Sequence, residues 1–174
     1  KAAVKAASKT AAAAKPRIAN ATAPAFVEAD NVVALRAACA KGGKVKLAPG
    51  RYVLEHTLTL TGVTSLEGDY RDLVTIDGRQ MTDPTQPVIM IDRVWGYEIS
   101  NLTVYGDRTK NAIGVLNATN TPNANGSYGT CSGQAIWSHV LIAGFKTGIV
   151  IGDDTKYVAS SENLYNHLAV TQCD

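Results

Sequence analysis

Three stretches of this sequence share one pattern: ISNLTVYG at residues 99–106, WSHVLIAG at 137–144 and YNHLAVTQ at 165–172. In each, a large residue is followed by two polar residues, an apolar residue, a variable residue and a second apolar residue. Copies that recur every few tens of residues and consist of short strands and turns are typical of a solenoid. The repeat predicts two interior stacks: Leu102, Val140 and Leu168, and Val104, Ile142 and Val170.

Short strands surround the repeat. From Lys44 onward apolar and polar residues alternate in brief runs, and Gly, Pro or Asp ends each run, which predicts an all-β body. An antiparallel sandwich is the competing fold, and it would place a hairpin signal such as Asn-Gly between matched strands. Asn125 and Gly126 lie instead inside a polar insertion, residues 117–133, so the repeat favours the solenoid.

One helix is predicted ahead of the strands. Asp30 or Asn31 can cap it, apolar residues follow at a rough helical spacing, and Gly42-Gly43 ends it. A single short amphipathic helix before a run of strands is expected to cover an exposed end.

The net charge of +2 is unevenly distributed. Residues 1–27 carry five basic and no acidic side chains, whereas the remainder carries 12 basic and 15 acidic ones. The body is therefore mildly acidic, which argues against a nucleic-acid partner.

No apolar run approaches the roughly 18 residues of a membrane span. We expect residues 1–27 to be an Ala/Lys-rich tether or linker, or an anchoring helix, and residues 28–174 to be the folded domain, incomplete at its C-terminal end.

The three cysteines, Cys39, Cys131 and Cys173, are widely spaced and form neither a CxxC motif nor a Cys/His metal pattern. We therefore expect no metal site, and the thiols are interpreted as small buried hydrophobes. Pairing of Cys131 with Cys39 or with Cys173 is left open by the sequence.

A family resemblance adds detail. The stretch GGKVKLAPGRY at residues 42–52 resembles the opening of the right-handed parallel β-helix superfamily, the pectate-lyase-like fold, particularly its phage tailspike and depolymerase branch. Residues 63–78 resemble the family's second coil, and residues 99–104 and 140–149 are typical in form. The resemblance covers about residues 28–174. It implies an all-β fold: a right-handed, single-stranded parallel β-helix with a short N-terminal capping α-helix.

Polysaccharide-cleaving members of that superfamily are hydrolases or lyases. A hydrolase needs paired carboxylates. A lyase needs a base that removes the proton alpha to a uronate carboxylate, with Ca²⁺ or Arg stabilising the developing charge. We therefore expect no cofactor, or Ca²⁺ if the protein is a lyase. The candidate catalytic residues are Asp153, Asp154, Asp107 and Arg108, which follow Gly residues where turn formation is the ordinary role.

Three aromatic residues, Trp95, Tyr97 and Trp137, are candidates for carbohydrate binding, because apolar ring faces stack on sugars. Trp137 shares its repeat position with Tyr165, so the alternative is an aromatic stack inside the fold. The polar insertion at 117–133 is the candidate functional loop.

Two histidines also share a repeat position. His139 and His167 align with Asn101, which suggests either a row of metal or catalytic ligands or a row of corner residues that satisfy backbone groups. We favour the corner role.

The resemblance implies a phage tailspike-like or tail-fibre-like protein that recognises bacterial surface polysaccharide and degrades it in its full-length form. It implies a homotrimer, located in the virion or outside the cell, that contacts other tail or baseplate proteins through residues 1–27. One alternative is a non-enzymatic virion protein that uses the fold as a shaft or adaptor. A second alternative is a secreted pectate-lyase-like enzyme. In this interpretation the active site lies outside the 174 residues.

Overall fold

The computed structural model describes residues 28–92, 94–117, 134–152 and 163–174. In this part of the chain one helix, α1 (Glu28–Lys41), precedes twelve strands. The strands are β1 (Gly43–Leu47), β2 (Gly50–Val53), β3 (Leu58–Leu60), β4 (Val63–Gly68), β5 (Val74–Asp77), β6 (Ile89–Ile91), β7 (Glu98–Tyr105), β8 (Ile113–Asn117), β9 (Ile136–Ala143), β10 (Thr147–Ile151), β11 (Leu164–Asn166) and β12 (Ala169–Thr171).

These strands form two parallel sheets. The larger has eight strands: β1, β4, β7, β5 and β2 lie in that order, β9 pairs with β7, and β11 and β12 both pair with β9. The smaller sheet has the order β10, β8, β6, β3. Parallel neighbours cannot be joined by tight hairpins, so each pairing links strands that are distant along the chain.

The predicted fold class, an all-β right-handed single-stranded parallel β-helix, is wrong, although the short N-terminal helix predicted with it is present. The strands divide between two parallel sheets with a mixed strand order, and together with α1 they form an α/β-type sheet arrangement. The physical reason lies in the long strands. β7 pairs with β4 through residues 98–100 and with β5 through residues 103–105, so the larger sheet branches where a regular coil would contribute one strand per layer.

The register that the repeat predicted is confirmed. Residue 99 pairs with residue 137 and residue 137 with residue 165, and the second apolar positions pair in the same way. Leu102, Val140, Val104 and Ile142 are buried in the core. The predicted interior position is wrong for Val170, which is 42% exposed, and Leu168 is only partly buried. Among the described strands, β12 pairs with β9 alone.

The predicted helix is present and packs on β1 to β4, but it begins at Glu28, so Asp30 and Asn31 lie within it and not at its N-cap. Its apolar side is buried at Val32, Leu35 and Cys39. The Arg36 guanidinium donates a hydrogen bond of 2.8 Å to the carbonyl of Thr57, which ties the helix to the loop before β3. Gly42 follows the helix with a φ of 72°, and a Cβ there would lie 2.7 Å from a backbone oxygen, so only glycine fits. No helix in the described ranges is long and apolar enough to cross a membrane.

Candidate functional site

An open cleft of about 540 Å³ lies where neighbouring parallel strands end. Its lining residues lie at or just after the ends of β5, β7, β9 and β12. They are Arg79, Tyr105, Gly106, Asp107, Arg108, Gly144 and Gln172. Parallel strands present their carboxyl ends at one edge of a sheet, and in α/β sheets ligands bind at that edge. We call this feature the strand-end cleft.

A buried carboxylate anchors one wall of the strand-end cleft. The Asp77 side chain is fully buried at the end of β5, and it accepts hydrogen bonds from Arg51 Nε at 2.6 Å and from Arg79 Nη2 at 2.8 Å. The backbone N–H of Arg79 donates a further bond of 2.9 Å. Burial raises the pKa of Asp77, but the hydrogen bonds from Arg79 and the charges of both arginines outweigh it and hold that pKa below its usual range.

The Asp77 anchor fixes Arg79 against an aromatic ring. The guanidinium carbon of Arg79 lies 4.9 Å from the centroid of the Tyr105 ring. A cation over a ring face is attracted by the ring quadrupole. Arg79 is therefore held from two sides, while 39% of its side chain remains exposed to the cleft.

Asp107, a candidate catalytic residue, lines the cleft but forms a turn. Its Oδ1 accepts hydrogen bonds from the Thr109 backbone at 3.0 Å and from the Thr109 hydroxyl at 2.6 Å, and Lys110 lies 3.4 Å from Oδ2. The bonds from Thr109 hold the pKa of Asp107 below its usual range. A general acid needs a raised pKa, so this carboxylate is not arranged to donate a proton near neutral pH.

Arg108, the second candidate in the cleft, forms an ion pair with Asp174, its Nε donating to Asp174 Oδ1 at 2.6 Å. Both side chains are more than half exposed, and such pairs contribute little to stability. The Arg108 guanidinium is thus available to an anionic ligand that competes with Asp174.

The structure describes two of the four catalytic candidates. Asp107 and Arg108 line one cleft, whereas Asp153 and Asp154 lie outside the described residues, as does Cys131. Of the polar insertion, residues 118–133 also lie outside them. Roles for these residues stay predictions. The structure shows Cys39 and Cys173 as free thiols.

The three aromatic candidates occupy two environments. Trp95 is 51% exposed, and its indole N–H donates a 2.8 Å hydrogen bond to Gln134 Oε1, which orients the ring. Tyr97 and Trp137 are buried and meet edge to face with centroids 6.2 Å apart. Burial raises the pKa of Tyr97, whose hydroxyl accepts a 2.9 Å bond from Asn117. Of the three rings, Trp95 is the one that is exposed to solvent and accessible to a ligand.

The aligned histidines have a conformational role. Asn101, His139 and His167 have φ values of 56°, 55° and 53°, in the left-handed region that few non-glycine residues adopt. Asn and His are among the residues enriched there. The rings of His139 and His167 stack with centroids 4.6 Å apart. Within the described ranges, no group of three or more His, Cys, Asp or Glu side chains is arranged to hold a metal ion.

Sequence reasoning missed three cleft residues: Arg79, Tyr105 and Gln172. Tyr105 and Gln172 sit near the ends of two copies of the repeat, so the carboxyl ends of the repeated strands were the available signal. Arg79 carried no such signal, because it lies outside the repeat and shares its partner Asp77 with Arg51, which is 26 residues away from Asp77 along the chain.

Comparisons with protein-family models, with curated proteins and with solved structures found no match for this chain.

Proposed function

We propose that the protein is a phage tailspike-like or tail-fibre-like component that recognises bacterial surface polysaccharide. The strand-end cleft carries the proposal. It combines guanidinium groups, a tyrosine ring and an amide at the ends of aligned strands. Guanidinium and amide groups hydrogen-bond sugar oxygens, and aromatic rings pack on the apolar faces of sugars.

The resemblance of residues 42–52 and 63–78 to the tailspike and depolymerase branch supports the same class of ligand. Trp95 adds a second, oriented ring face on the surface. The family resemblance and the exposed Trp95 ring both favour a ligand that extends along the protein surface, as a polysaccharide does.

Recognition is the role proposed for the described part of the cleft. The carboxylate that lines the described part of the cleft, Asp107, accepts hydrogen bonds from Thr109 and forms an ion pair with Lys110. This part of the cleft therefore lacks the pair of free carboxylates that hydrolysis of a glycosidic bond requires. Cleavage, by hydrolysis or by a lyase reaction with Ca²⁺, would require groups other than those described in the cleft. The proposal places the protein in the virion or outside the cell, as a homotrimer tethered to tail or baseplate proteins by residues 1–27.

The test is binding of the purified 174-residue protein to bacterial capsular and O-antigen polysaccharides, measured by calorimetry or on a glycan array. We expect at least one polysaccharide to bind, with binding lost in the variant Tyr105→Ala/Arg108→Ala. Absence of binding across the panel would favour the non-enzymatic shaft or adaptor.

The same mixtures separate the enzymatic alternatives. New reducing ends would indicate hydrolysis, and ultraviolet absorbance from unsaturated uronate would indicate a lyase. Light scattering distinguishes a trimeric virion component from a monomeric secreted enzyme.

A further inference from the structure

We propose that the strand-end cleft binds an acidic polysaccharide and that Arg79 and Arg108 hold its carboxylate. The inference rests on the proposed function and adds the chemical class of the ligand. The ligand class is inferred from the charges and hydrogen-bonding groups of the cleft. Some of them are already paired inside the protein, and the unpaired ones indicate what a ligand must supply.

The first step concerns the net charge of the group formed by Asp77, Arg51 and Arg79 at one wall of the cleft. Arg51 and Arg79 both form ion pairs with the single carboxylate of Asp77, so this group of three carries one positive charge in excess. Asp77 is buried, whereas 39% of the Arg79 side chain is exposed on the cleft side. Arg51 is 44% exposed but does not line the cleft, so the part of the positive charge that reaches the cleft is carried by Arg79.

The second step is the supply of donors. The hydrogen bonds of Arg79 to Asp77 use its Nε and Nη2, and the contacts of Arg108 with Asp174 use the same two atoms. A guanidinium has five N–H donors in a planar fork, so Nη1 of each arginine contributes none of those contacts. These donors suit the two oxygens of a carboxylate.

The third step is the supply of acceptors. Asp107 is the carboxylate that lines the cleft, and its charge is matched by Lys110, while its Oδ1 accepts from Thr109. The Asp107 carboxylate is therefore not free to accept a hydrogen bond from a ligand. An anionic ligand, by contrast, can accept hydrogen bonds from Arg79 and Arg108. Gln172 and Tyr105 complete the lining with neutral groups suited to sugar hydroxyls and ring faces.

The experiment compares each bound polysaccharide with its own carboxyl-reduced form, in which uronate carboxylates have become alcohols and the backbone is unchanged. We expect the native acidic polysaccharide to bind, the carboxyl-reduced form to bind at least about tenfold more weakly, and binding to weaken with salt.

Two variants locate the carboxylate. Arg108→Gln removes an exposed guanidinium and is expected to weaken binding about tenfold with the melting temperature unchanged. Its matched control is Arg71→Gln, which breaks a comparable exposed ion pair, with Asp72, outside the cleft and leaves binding unchanged. Arg79→Lys keeps the charge, loses the planar fork and is expected to weaken binding while the protein stays folded.

The outcomes separate the two proposals. Cleft-dependent binding of a neutral polysaccharide, or equal affinity for native and carboxyl-reduced forms, would overturn the acidic class and leave polysaccharide recognition in place. Binding that depends on the carboxylates but is unchanged in both Arg108→Gln and Arg79→Lys would overturn the cleft as their site. If no polysaccharide binds, both proposals fail.

Discussion

At the scale of single residues, Asp77 determines the chemistry of the cleft. Its carboxylate is the fixed point from which Arg79 reaches the Tyr105 ring, and it draws in Arg51 from the neighbouring strand β2. A buried carboxylate with two guanidinium partners is stable only while it stays ionised. Stability and site geometry therefore depend on the same group.

Replacing Asp77 by Asn should lower the free energy of unfolding at pH 7 by about 1–3 kcal/mol, because Arg79 and Arg51 lose a charged acceptor. The pKa of Asp77 is lowered by folding, so the contribution is complete above the unfolded pKa near 3.8 and is lost as pH falls through the folded pKa. Urea unfolding between pH 7 and pH 3 should show a flatter decline for Asp77→Asn than for the wild type. The exposed substitution Asp72→Asn is the control and should change stability by less than about 0.5 kcal/mol.

Cys39 should be unreactive in the folded protein. Burial raises the pKa of its thiol to about 11, an effect only partly offset by the charge of Arg36. At pH 8 the thiolate, which is the reactive form, is then about 0.1% of the total. Mass spectrometry after iodoacetamide treatment should find Cys39 unmodified in the native protein and modified in urea. Rapid labelling of native Cys39 would contradict its burial in α1.

At the scale of elements, left-handed residues shape the long strands. Asn101 and His139 lie inside β7 and β9, where positive φ values are unusual, and yet the strands continue on both sides with parallel pairing. The sheet tolerates these bends because equivalent residues bend at the same place in adjacent strands.

The cost of this conformation can be measured at His139, which is exposed. His139→Val should destabilise the protein by about 1–2 kcal/mol more than His139→Gly, because a β-branched residue is disfavoured at φ near 55°. Both variants lose the ring contact with His167, so their difference isolates the backbone term. Equal melting temperatures for the two variants would show that the backbone at this position is not left-handed.

The sequence contained the register of the strands but not their division into sheets. The apolar positions of the repeat specify which residues align, since a slip of one residue would expose Leu102 and Val140. The pattern gives no sign that β7 stays one strand across Asn101 and meets both β4 and β5. Likewise, alternation cannot tell whether Trp137 faces the core or a ligand, and the Arg51–Asp77 contact depends on the tertiary pairing of β2 with β5.

At the scale of the whole molecule, the two sides of the larger sheet differ. On the β1 and β2 side, α1 covers the first strands. On the other side, β11 and β12 each pair with β9 and with no further strand in the described part of the chain, and Leu164, Tyr165 and Val170 are partly exposed. Protection of the backbone should therefore fall from β7 and β9 toward β11 and β12.

Amide hydrogen exchange provides the measurement. The Ile136 N–H bonds the carbonyl of Tyr97 at 2.9 Å, and the Leu164 N–H bonds the carbonyl of Ala135 at 2.7 Å, so the two amides make matching bonds in successive strands. We expect the Leu164 amide to exchange at least about tenfold faster, because local opening follows the loss of flanking apolar contacts. Equal protection would indicate that β11 is covered in solution.

The order of the strands along the chain determines which pairings can form while the protein is being synthesised. The contacts of α1 with its strands, and the pairings among β1 to β8, all lie within residues 28–117. At about 5–20 residues per second, a ribosome needs about one to four seconds to add residues 118–135, which separate β8 from β9. The pairings among β1 to β8 can therefore begin to form before β9 is available, and β9 then docks on a β7 edge that is already formed.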